Sequence, residues 1–152
     1  MDAPDLAVAG RALLYQFGPG LGYLATVRRD GGPRVHPFCP IILEPGIYGL
    51  IGESPKQRDL FRDGRYAVHS FPSPERDDEF YFTGRARHHA DAALAARVRQ
   101  AMTATGATSS DDEALFELDL ERVLLARYKK RGEPDNWPPQ YAKWTAPGLR
   151  RR

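Results

Sequence analysis

The chain has 152 residues, 41% hydrophobic and 28% charged, which is an ordinary balance for a soluble globular protein. Its length suits a single domain over residues 1–152, and its net charge of +2 is too small to indicate nucleic acid or an anionic membrane as a partner. A single cysteine, Cys39, excludes an internal disulfide framework, and no apolar run approaches the ~18 residues of a membrane helix. We therefore expect a soluble, cytoplasmic protein.

The predicted domain has a core over about residues 22–128, flanked by an N-terminal helix and a C-terminal tail. The helix is predicted over residues 4–17, where three leucines and Phe17 share one side, and Gly18 ends it. The tail, residues 131–152, is rich in proline, aromatic and basic residues. No internal repeat and no linker divides the chain.

A β-hairpin is predicted directly after this helix. Residues 23–27 and 34–38 have strand character, and the Asp30-Gly31 pair between them is typical of a tight hairpin turn. Because Pro37 has no backbone N–H, it cannot donate a hydrogen bond to a neighbouring strand. The second strand of the hairpin is therefore expected to lie at a sheet edge or to be bulged at Pro37.

A strand over residues 47–51 and a short helix over residues 55–62 are predicted next. Ser54 stands at the N-cap position of this helix, and Pro55 stands at its first helical position. Gln57, three residues after Ser54, completes an S-x-x-Q capping box. The start of the helix is therefore defined by several signals that agree.

Lys56 lies in the first turn of that helix, where the helix macrodipole disfavours a cation. A lysine at this position is explained if an anion shares the site. Backbone N–H groups, the Ser54 hydroxyl and the Lys56 ammonium can then converge on one phosphate. A capped surface helix with Lys56 in water is the alternative from these residues alone.

The remaining elements complete a mainly β pattern, in which Gly84 marks a bulge or a close approach of two backbones. They are strands over residues 65–71, 79–86, 116–120 and 123–128 and a helix over residues 91–105 that is capped by Asp91. Six or seven short strands joined mostly by hairpins predict a mainly antiparallel β-barrel with helical decorations. The glycine-rich motifs of nucleotide-binding parallel sheets are absent from the sequence.

Three stretches in this order resemble the pyridoxamine 5'-phosphate oxidase-like, FMN-binding split-barrel family. Residues 23–42 are similar to its opening hairpin, residues 52–69 to its third strand, phosphate-binding turn, short helix and fourth strand, and residues 80–87 to its fifth strand. The resemblance covers about residues 22–128. It implies a homodimer of split barrels with the cofactor between the two subunits.

The resemblance also implies which residues hold the cofactor. Ser54 and Lys56 would bind its phosphate, with Arg34 as a second cationic contact. Trp144 resembles an aromatic residue that reaches the cofactor cleft. The strand around residue 36 would run beside the isoalloxazine ring and the end of the next strand would border the ribityl chain, which adds Val35, His36, Pro37, Leu50, Ile51 and Gly52 to the candidate site.

The chain departs from the family at two places. The oxidase that names the family ends in an arginine-containing motif that grips pyridoxamine phosphate, and residues 144–150 do not reproduce it, so oxidation of vitamin B6 has little support. Pro55 stands where a second basic residue often occurs, which leaves the cofactor open. The predicted function is an FMN-dependent oxidoreductase acting on a small organic substrate. The alternatives are a deazaflavin-dependent reductase of the same fold and a non-enzymatic flavin- or haem-binding protein.

No side chain is assigned as catalytic, because the flavin carries the chemistry. Arg34 and His36 lie two residues apart on a strand and therefore project to the same face. The His36 ring can donate a hydrogen bond to a flavin, and a structural histidine bonded to the backbone is the alternative. No metal site is predicted, since His69, His88 and His89 lack metal-ligand spacing.

Overall fold

The computed structural model describes residues 3–134 and 137–149 of the chain. Within them the chain forms eight β-strands, three α-helices and one 3₁₀ turn, and no helix of this described part is long and apolar enough to cross a membrane. The elements are α1 (Ala3–Leu14), β1 (Gly22–Val27), β2 (Pro33–Phe38), β3 (Ile41–Leu43), β4 (Gly46–Ile51), α2 (Pro55–Arg62), β5 (Arg65–Ser70), β6 (Glu79–His89), α3 (Ala92–Ala104), β7 (Ala114–Arg127), β8 (Gln140–Thr145) and the 3₁₀ turn (Pro147–Leu149).

The strands form one antiparallel sheet that does not close, in the order β2-β1-β5-β6-β7-β4-β3. The long strand β7 pairs with β6 along one edge. On its other edge it pairs with β4 through residues 114–117 and with β8 through residues 122–127. The predicted mainly antiparallel β fold with helical decorations is confirmed, and β2, which contains Pro37, lies at an edge as expected.

The structure has eight strands where six or seven were predicted, because two short strands carry weak sequence signals. β3 has only three residues and lies between Pro40 and Pro45, and β8 lies in the proline-rich tail. Conversely, the predicted strands 116–120 and 123–128 are two halves of β7. β6 runs alongside both halves, and this continuous partner holds them as a single strand.

The register between β6 and β7 shifts between Thr83 and Gly84, which is a β-bulge. A Cβ atom on Gly84 would lie 1.7 Å from the carbonyl oxygen of Asp119, so only glycine fits at this position. The prediction that Gly84 marks a bulge or a close backbone approach is therefore confirmed, and both features occur together.

The core lies on the inner face of the sheet, and α1 packs against it. Leu6 and Leu14 of α1 are buried, and Gly10 lets the helix approach Phe80 so closely that a Cβ on the glycine would lie 2.3 Å from the ring. The helix ends at Leu14, earlier than predicted. The expected place of Phe17 on its apolar side is wrong, because Phe17 follows the helix and is 47% exposed.

The start of α2 follows the prediction in most respects. Ser54 is the N-cap residue, its hydroxyl oxygen accepts a hydrogen bond from the backbone N–H of Gln57 at 3.3 Å, and Pro55 is the first helical residue. The Gln57 side chain does not return to Ser54. Its amide donates to the carbonyl oxygen of Ile51 at 2.8 Å, which ties the start of α2 to the end of β4.

Candidate functional site

The candidate site lies in a seam between the open edge of β2 and the second half of β4. β2 pairs only with β1, and β3 pairs with β4 only at residues 46–48, so residues 49–51 have no strand on that side in the described chain. At one end of the seam, the Phe38 ring packs so closely that a Cβ on Gly49 would lie 2.5 Å from it. The two strands therefore meet through side chains without pairing.

The β2 side of the seam carries two polar side chains. Arg34, His36 and Phe38 project inward, while Val35 and Pro37 project outward and are exposed, which confirms the predicted common face of Arg34 and His36. The Nε2 atom of His36 is buried, and within residues 3–134 and 137–149 it is the one buried side-chain nitrogen or oxygen without a hydrogen-bond partner. Because buried polar atoms are almost always paired, this atom marks a place for a ligand or a water molecule.

The open backbone edge of β2 carries a single hydrogen-bond donor. Arg28 N–H donates to the carbonyl oxygen of Gly32 at 2.8 Å, and this bond sets the alternation of hydrogen-bonded pairs along the hairpin. Pro33, Val35 and Pro37 consequently direct their backbone groups away from β1. Since the two prolines have no N–H, Val35 supplies the one N–H on the open edge of β2.

The β4 side of the seam presents backbone in place of polar side chains. Leu50 and Ile51 are buried in the core, 8% and 1% exposed. Gly52 has no side chain, and a Cβ there would meet only Cγ of Glu113, at 3.8 Å. On the β4 side, backbone atoms and no polar side chains therefore line the seam. The implied contact of these three residues with a ribityl chain stays a prediction.

An arginine-lined hollow, called the arginine hollow below, lies at the Arg34 end of β2. Its volume is about 760 Å³, and it is formed by the β1–β2 turn, β2 and one side of α2. Five arginines and two aspartates line it, which gives a net charge of +3 and favours anions. With Pro55, the lining residues are Arg28, Arg29, Asp30, Arg34, Arg58, Asp59 and Arg62.

Asp59 of α2 is the buried acid of the arginine hollow, only 4% exposed. Its Oδ2 atom accepts hydrogen bonds from the Thr26 hydroxyl at 2.9 Å and from Nε of Arg34 at 2.8 Å, and its Oδ1 atom accepts one from Arg62 at 3.2 Å. Burial raises the pKa of Asp59, but these hydrogen bonds and the Arg34 charge outweigh it, so the pKa lies below its ordinary value. Asp59 is therefore an ionised carboxylate held between two arginines.

Lys56 does not line the arginine hollow. Burial raises the pKa of the Cys39 thiol, while the Lys56 ammonium lowers it and the Glu113 carboxylate raises it, so Lys56 lies on the side of α2 that faces Cys39. The Ser54 hydroxyl donates to the carbonyl oxygen of Gly52 at 3.0 Å and is also engaged by the helix cap. Convergence of Ser54 and Lys56 on one phosphate stays a prediction.

Trp144 lies in a second cavity of the chain. It stands opposite Val123 in the pairing of β8 with β7, and it lines a cavity of about 580 Å³ together with α1 and the turn between β3 and β4. No residue lines both this cavity and the arginine hollow. Within one chain, Trp144 and Arg34 therefore belong to different hollows.

The remaining histidines have local partners. Nδ1 of His69 lies 2.7 Å from the carbonyl oxygen of Ser70, and Nε2 of His89 lies 2.7 Å from the carboxylate of Glu117. The ring of His88 packs against aromatic side chains. Across residues 3–134 and 137–149, no group of three or more His, Cys, Asp or Glu side chains is placed to hold a metal ion.

No protein-family model matches the chain, and no curated protein matches it. Solved structures do match. A haem-binding protein from Mycobacterium smegmatis is 21% identical, with a TM-score of 0.63 over 90% of this chain, which spans only 57% of that protein. A candidate pyridoxamine 5'-phosphate oxidase from Listeria innocua is 18% identical, with a TM-score of 0.63 over 87% of this chain and 100% of that one. A NimC/NimA family protein from Clostridium acetobutylicum is 17% identical, with a TM-score of 0.60 over 88% and 91% of the two chains.

These proteins share one architecture at low sequence identity. The chain has the pyridoxamine 5'-phosphate oxidase-like split-barrel fold. The resemblance inferred from the three sequence stretches is thus confirmed at the level of the fold. The names of the matching structures include a haem-binding protein beside an oxidase, so the ligand of this split barrel has to be argued from its own residues.

Sequence reasoning missed most residues of the arginine hollow in this split barrel. Arg58 and Arg62 lie four residues apart, a spacing that places both on one face of α2, and two further arginines precede the hairpin turn. These signals could have indicated a basic surface. The burial of Asp59 had no such signal, because it depends on Thr26 from a strand that is distant in sequence.

Proposed function

We propose that this split barrel binds FMN along the seam between β2 and β4 and uses it to transfer hydride or electrons to or from a small organic substrate. The observation that carries this proposal is the unpartnered Nε2 atom of His36, two residues from Arg34 on the same strand face. Residues so spaced lie about 7 Å apart. One strand face thus offers a cation for an anionic tail and a free polar atom for a polar ring.

The residues present fit the phosphate end of this cofactor. Arg34 uses Nε to bind Asp59, and neither of its terminal nitrogens has an acceptor among the described residues. These nitrogens suit two phosphate oxygens. A phosphate monoester carries a charge of about −1.5 to −2 at pH 7, which the net charge of +3 in the arginine hollow more than balances.

The residues also fit the ring end. Nε2 of His36 and the backbone N–H of Val35 are two neighbouring groups on β2 without a partner among the described residues, and flavin rings carry nitrogen and carbonyl acceptors at one edge. The buried side chains of Leu50 and Ile51 leave a backbone border for the ribityl chain. Bound FMN supplies the hydride or electron transfer, while these residues bind it, orient it and exclude water.

We further propose that the working unit is a homodimer in which the partner subunit supplies the aromatic group. Trp144 and Arg34 lie in separate hollows of one chain. A second copy offers the simplest way for Trp144 to approach a cofactor that Arg34 holds. In this arrangement each of two equivalent sites takes residues from both chains.

The absorption spectrum and a ligand titration of the purified protein test the proposal. Oxidised FMN gives two bands in the blue and near ultraviolet, a deazaflavin gives one, and haem gives a strong Soret band. We expect saturable binding of FMN with a 1:1 ratio per chain. A protein that binds none of the three would overturn the proposal, and tighter binding of the deazaflavin than of FMN would change the cofactor but keep the seam.

Haem binding is a second candidate, because a free imidazole nitrogen could also hold a haem iron. His36 is the histidine whose Nε2 is buried and unpartnered. The two candidates differ in their response to His36→Gln. Loss of the Soret band in that variant supports haem, whereas retained FMN binding with an altered flavin spectrum supports the flavin.

A further inference from the structure

We infer that Asp59 is a positioning residue that aims the Arg34 guanidinium at the phosphate of the bound nucleotide. The inference rests on the proposed function and adds to it a residue that does not touch the cofactor. Asp59 is 4% exposed and belongs to α2, whereas Arg34 belongs to the edge strand β2. The ion pair between them is the described side-chain bond that joins these two elements inside the arginine hollow.

The choice of atoms supports this role. Oδ2 of Asp59 accepts from Nε of Arg34 at 2.8 Å, which leaves the two terminal nitrogens of the planar group without an acceptor among the described residues. Arg34 lines the arginine hollow and its side chain is 28% exposed, so its unpaired donors are available to an anion there. A flexible arginine at an open edge loses side-chain entropy when it binds an anion. Asp59 reduces the entropy that Arg34 loses on binding, because it already holds the guanidinium in one orientation before the anion arrives.

The carboxylate itself is held in place by groups outside the phosphate contact. The Thr26 hydroxyl donates to the same oxygen, Oδ2, at 2.9 Å, and Arg62 donates to Oδ1 at 3.2 Å. Oδ2 is thus shared between Thr26, on a strand inside the sheet, and the Arg34 side chain on the edge strand. A carboxylate with fixed partners is what a positioning role requires.

Positioning and simple charge predict opposite effects of removing the carboxylate. Asp59→Asn deletes one negative charge from the hollow, so an effect of charge alone would strengthen the binding of an anion. A positioning role predicts weaker binding, since the amide holds a guanidinium less firmly than a carboxylate does. The direction of the change therefore separates the two explanations.

The test compares FMN with riboflavin, which has the same ring and ribityl chain but no phosphate. The ratio of the two dissociation constants reports the phosphate contact alone. We expect Asp59→Asn to reduce the preference for FMN by about tenfold, the loss of one charge-assisted hydrogen bond, with riboflavin affinity unchanged. Ser70→Ala is the matched control, because it removes a buried hydrogen bond, from the backbone N–H of Phe80 to the Ser70 hydroxyl, outside the arginine hollow. It should lower thermal stability without changing the ratio.

A double-mutant cycle completes the test. If Asp59 acts through Arg34, Asp59→Asn has no further effect on the ratio in an Arg34→Ala background. An equal effect in both backgrounds, an equal loss of FMN and riboflavin affinity, or an increased preference for FMN would each overturn the inference. If Asp59→Asn does not fold, Asp59→Glu replaces it in the cycle. A wild-type chain that binds riboflavin well but FMN no better would overturn the phosphate assignment, and one that binds neither would overturn the proposed function.

Discussion

Arg34 and Asp59 form an ion pair across 25 residues of sequence, with Nε of the arginine 2.8 Å from Oδ2 of the aspartate. The pair joins the edge strand β2 to α2. Both residues line the arginine hollow, and their ion pair also holds the open edge strand of the sheet against α2. Stability and the proposed binding of an anion therefore depend on the same ion pair, and each has to be measured beside the other.

The first prediction concerns pH. The pKa of Asp59 is lowered below its ordinary 3.8, so its ionised form stabilises the folded chain. This stabilisation is fully present above about pH 4 and is lost as the pH falls through the lowered pKa. We expect Asp59→Asn to reduce the free energy of unfolding by about 1–3 kcal/mol at pH 7. The difference from wild type should shrink below about pH 4.

Denaturant titrations at several pH values measure this difference. Asp111→Asn is the matched control, because the Asp111 side chain is fully exposed and its nearest cation, Arg99, is 3.7 Å away. That variant should stay close to wild type throughout. A deficit in Asp59→Asn that is the same at pH 7 and at pH 3 would contradict the prediction.

The second prediction concerns the two cationic groups near the start of α2. We expect Arg34→Ala to weaken FMN binding the most, because this side chain offers two free terminal nitrogens to the phosphate. Lys56 does not line the arginine hollow, so Lys56→Ala should weaken FMN binding less than Arg34→Ala does. A loss of about 1–3 kcal/mol, the scale of a charge-assisted bond, would show that Lys56 also reaches the phosphate. Lys129→Ala removes the same charge from an exposed loop and should leave affinity unchanged.

Isothermal titration with FMN and with riboflavin measures these effects. Unchanged affinity in Lys56→Ala would remove Lys56 from the site and leave the arginine hollow as the phosphate site. Unchanged affinity in Arg34→Ala would move the phosphate to the Cys39 side of α2, where Lys56 lies.

The third prediction concerns the partner subunit. Arg34→Ala chains and Trp144→Ala chains, carrying different tags, are mixed to form heterodimers. If each site takes Arg34 from one chain and Trp144 from the other, one site in every heterodimer is intact and the second lacks both residues. We expect binding of FMN at wild-type affinity with half the wild-type stoichiometry.

If both residues served the same chain's site, every site in the heterodimer would carry one defect, and no site would bind with wild-type affinity. The two homodimeric variants are the controls and should both bind weakly. Light scattering that detects only monomers at micromolar concentration would exclude the dimer altogether.

The fourth prediction concerns the bulge. Gly84→Ala should lower the free energy of unfolding by about 3 kcal/mol or more, since overpacking against a rigid backbone is costly. The new methyl group would lie 1.7 Å from the Asp119 carbonyl oxygen. Gly148→Ala is the control, because nothing lies within 4 Å of a Cβ built there. Equal stability of the two variants by thermal unfolding would contradict the close approach at Gly84.

The sequence predictions that the structure confirms rest on chemistry that acts between residues close together in the chain. Pro37 cannot donate in a ladder, Ser54 caps a helix, and Gly84 tolerates a close backbone, and each of these properties acts within a few residues. The same reasoning failed for Phe17 and for β3, where a short element gives too little periodicity to recognise. The sequence also predicted two strands where the structure has one, β7, because the residues of β7 do not reveal the pairing with β6 that keeps it continuous.

The sequence by itself determined a mainly antiparallel β chain, a strand that lies at a sheet edge or is bulged at Pro37, and a capped helix after Ser54, since alternation, capping and proline chemistry are short-range. Only the tertiary structure decided that Phe38 of β2 packs on Gly49 of β4, that Asp59 is buried beside Arg34, and that Trp144 lies in a different hollow from Arg34. These relationships depend on strand order and on where α2 packs. They are long-range, so no stretch of the chain encodes them alone.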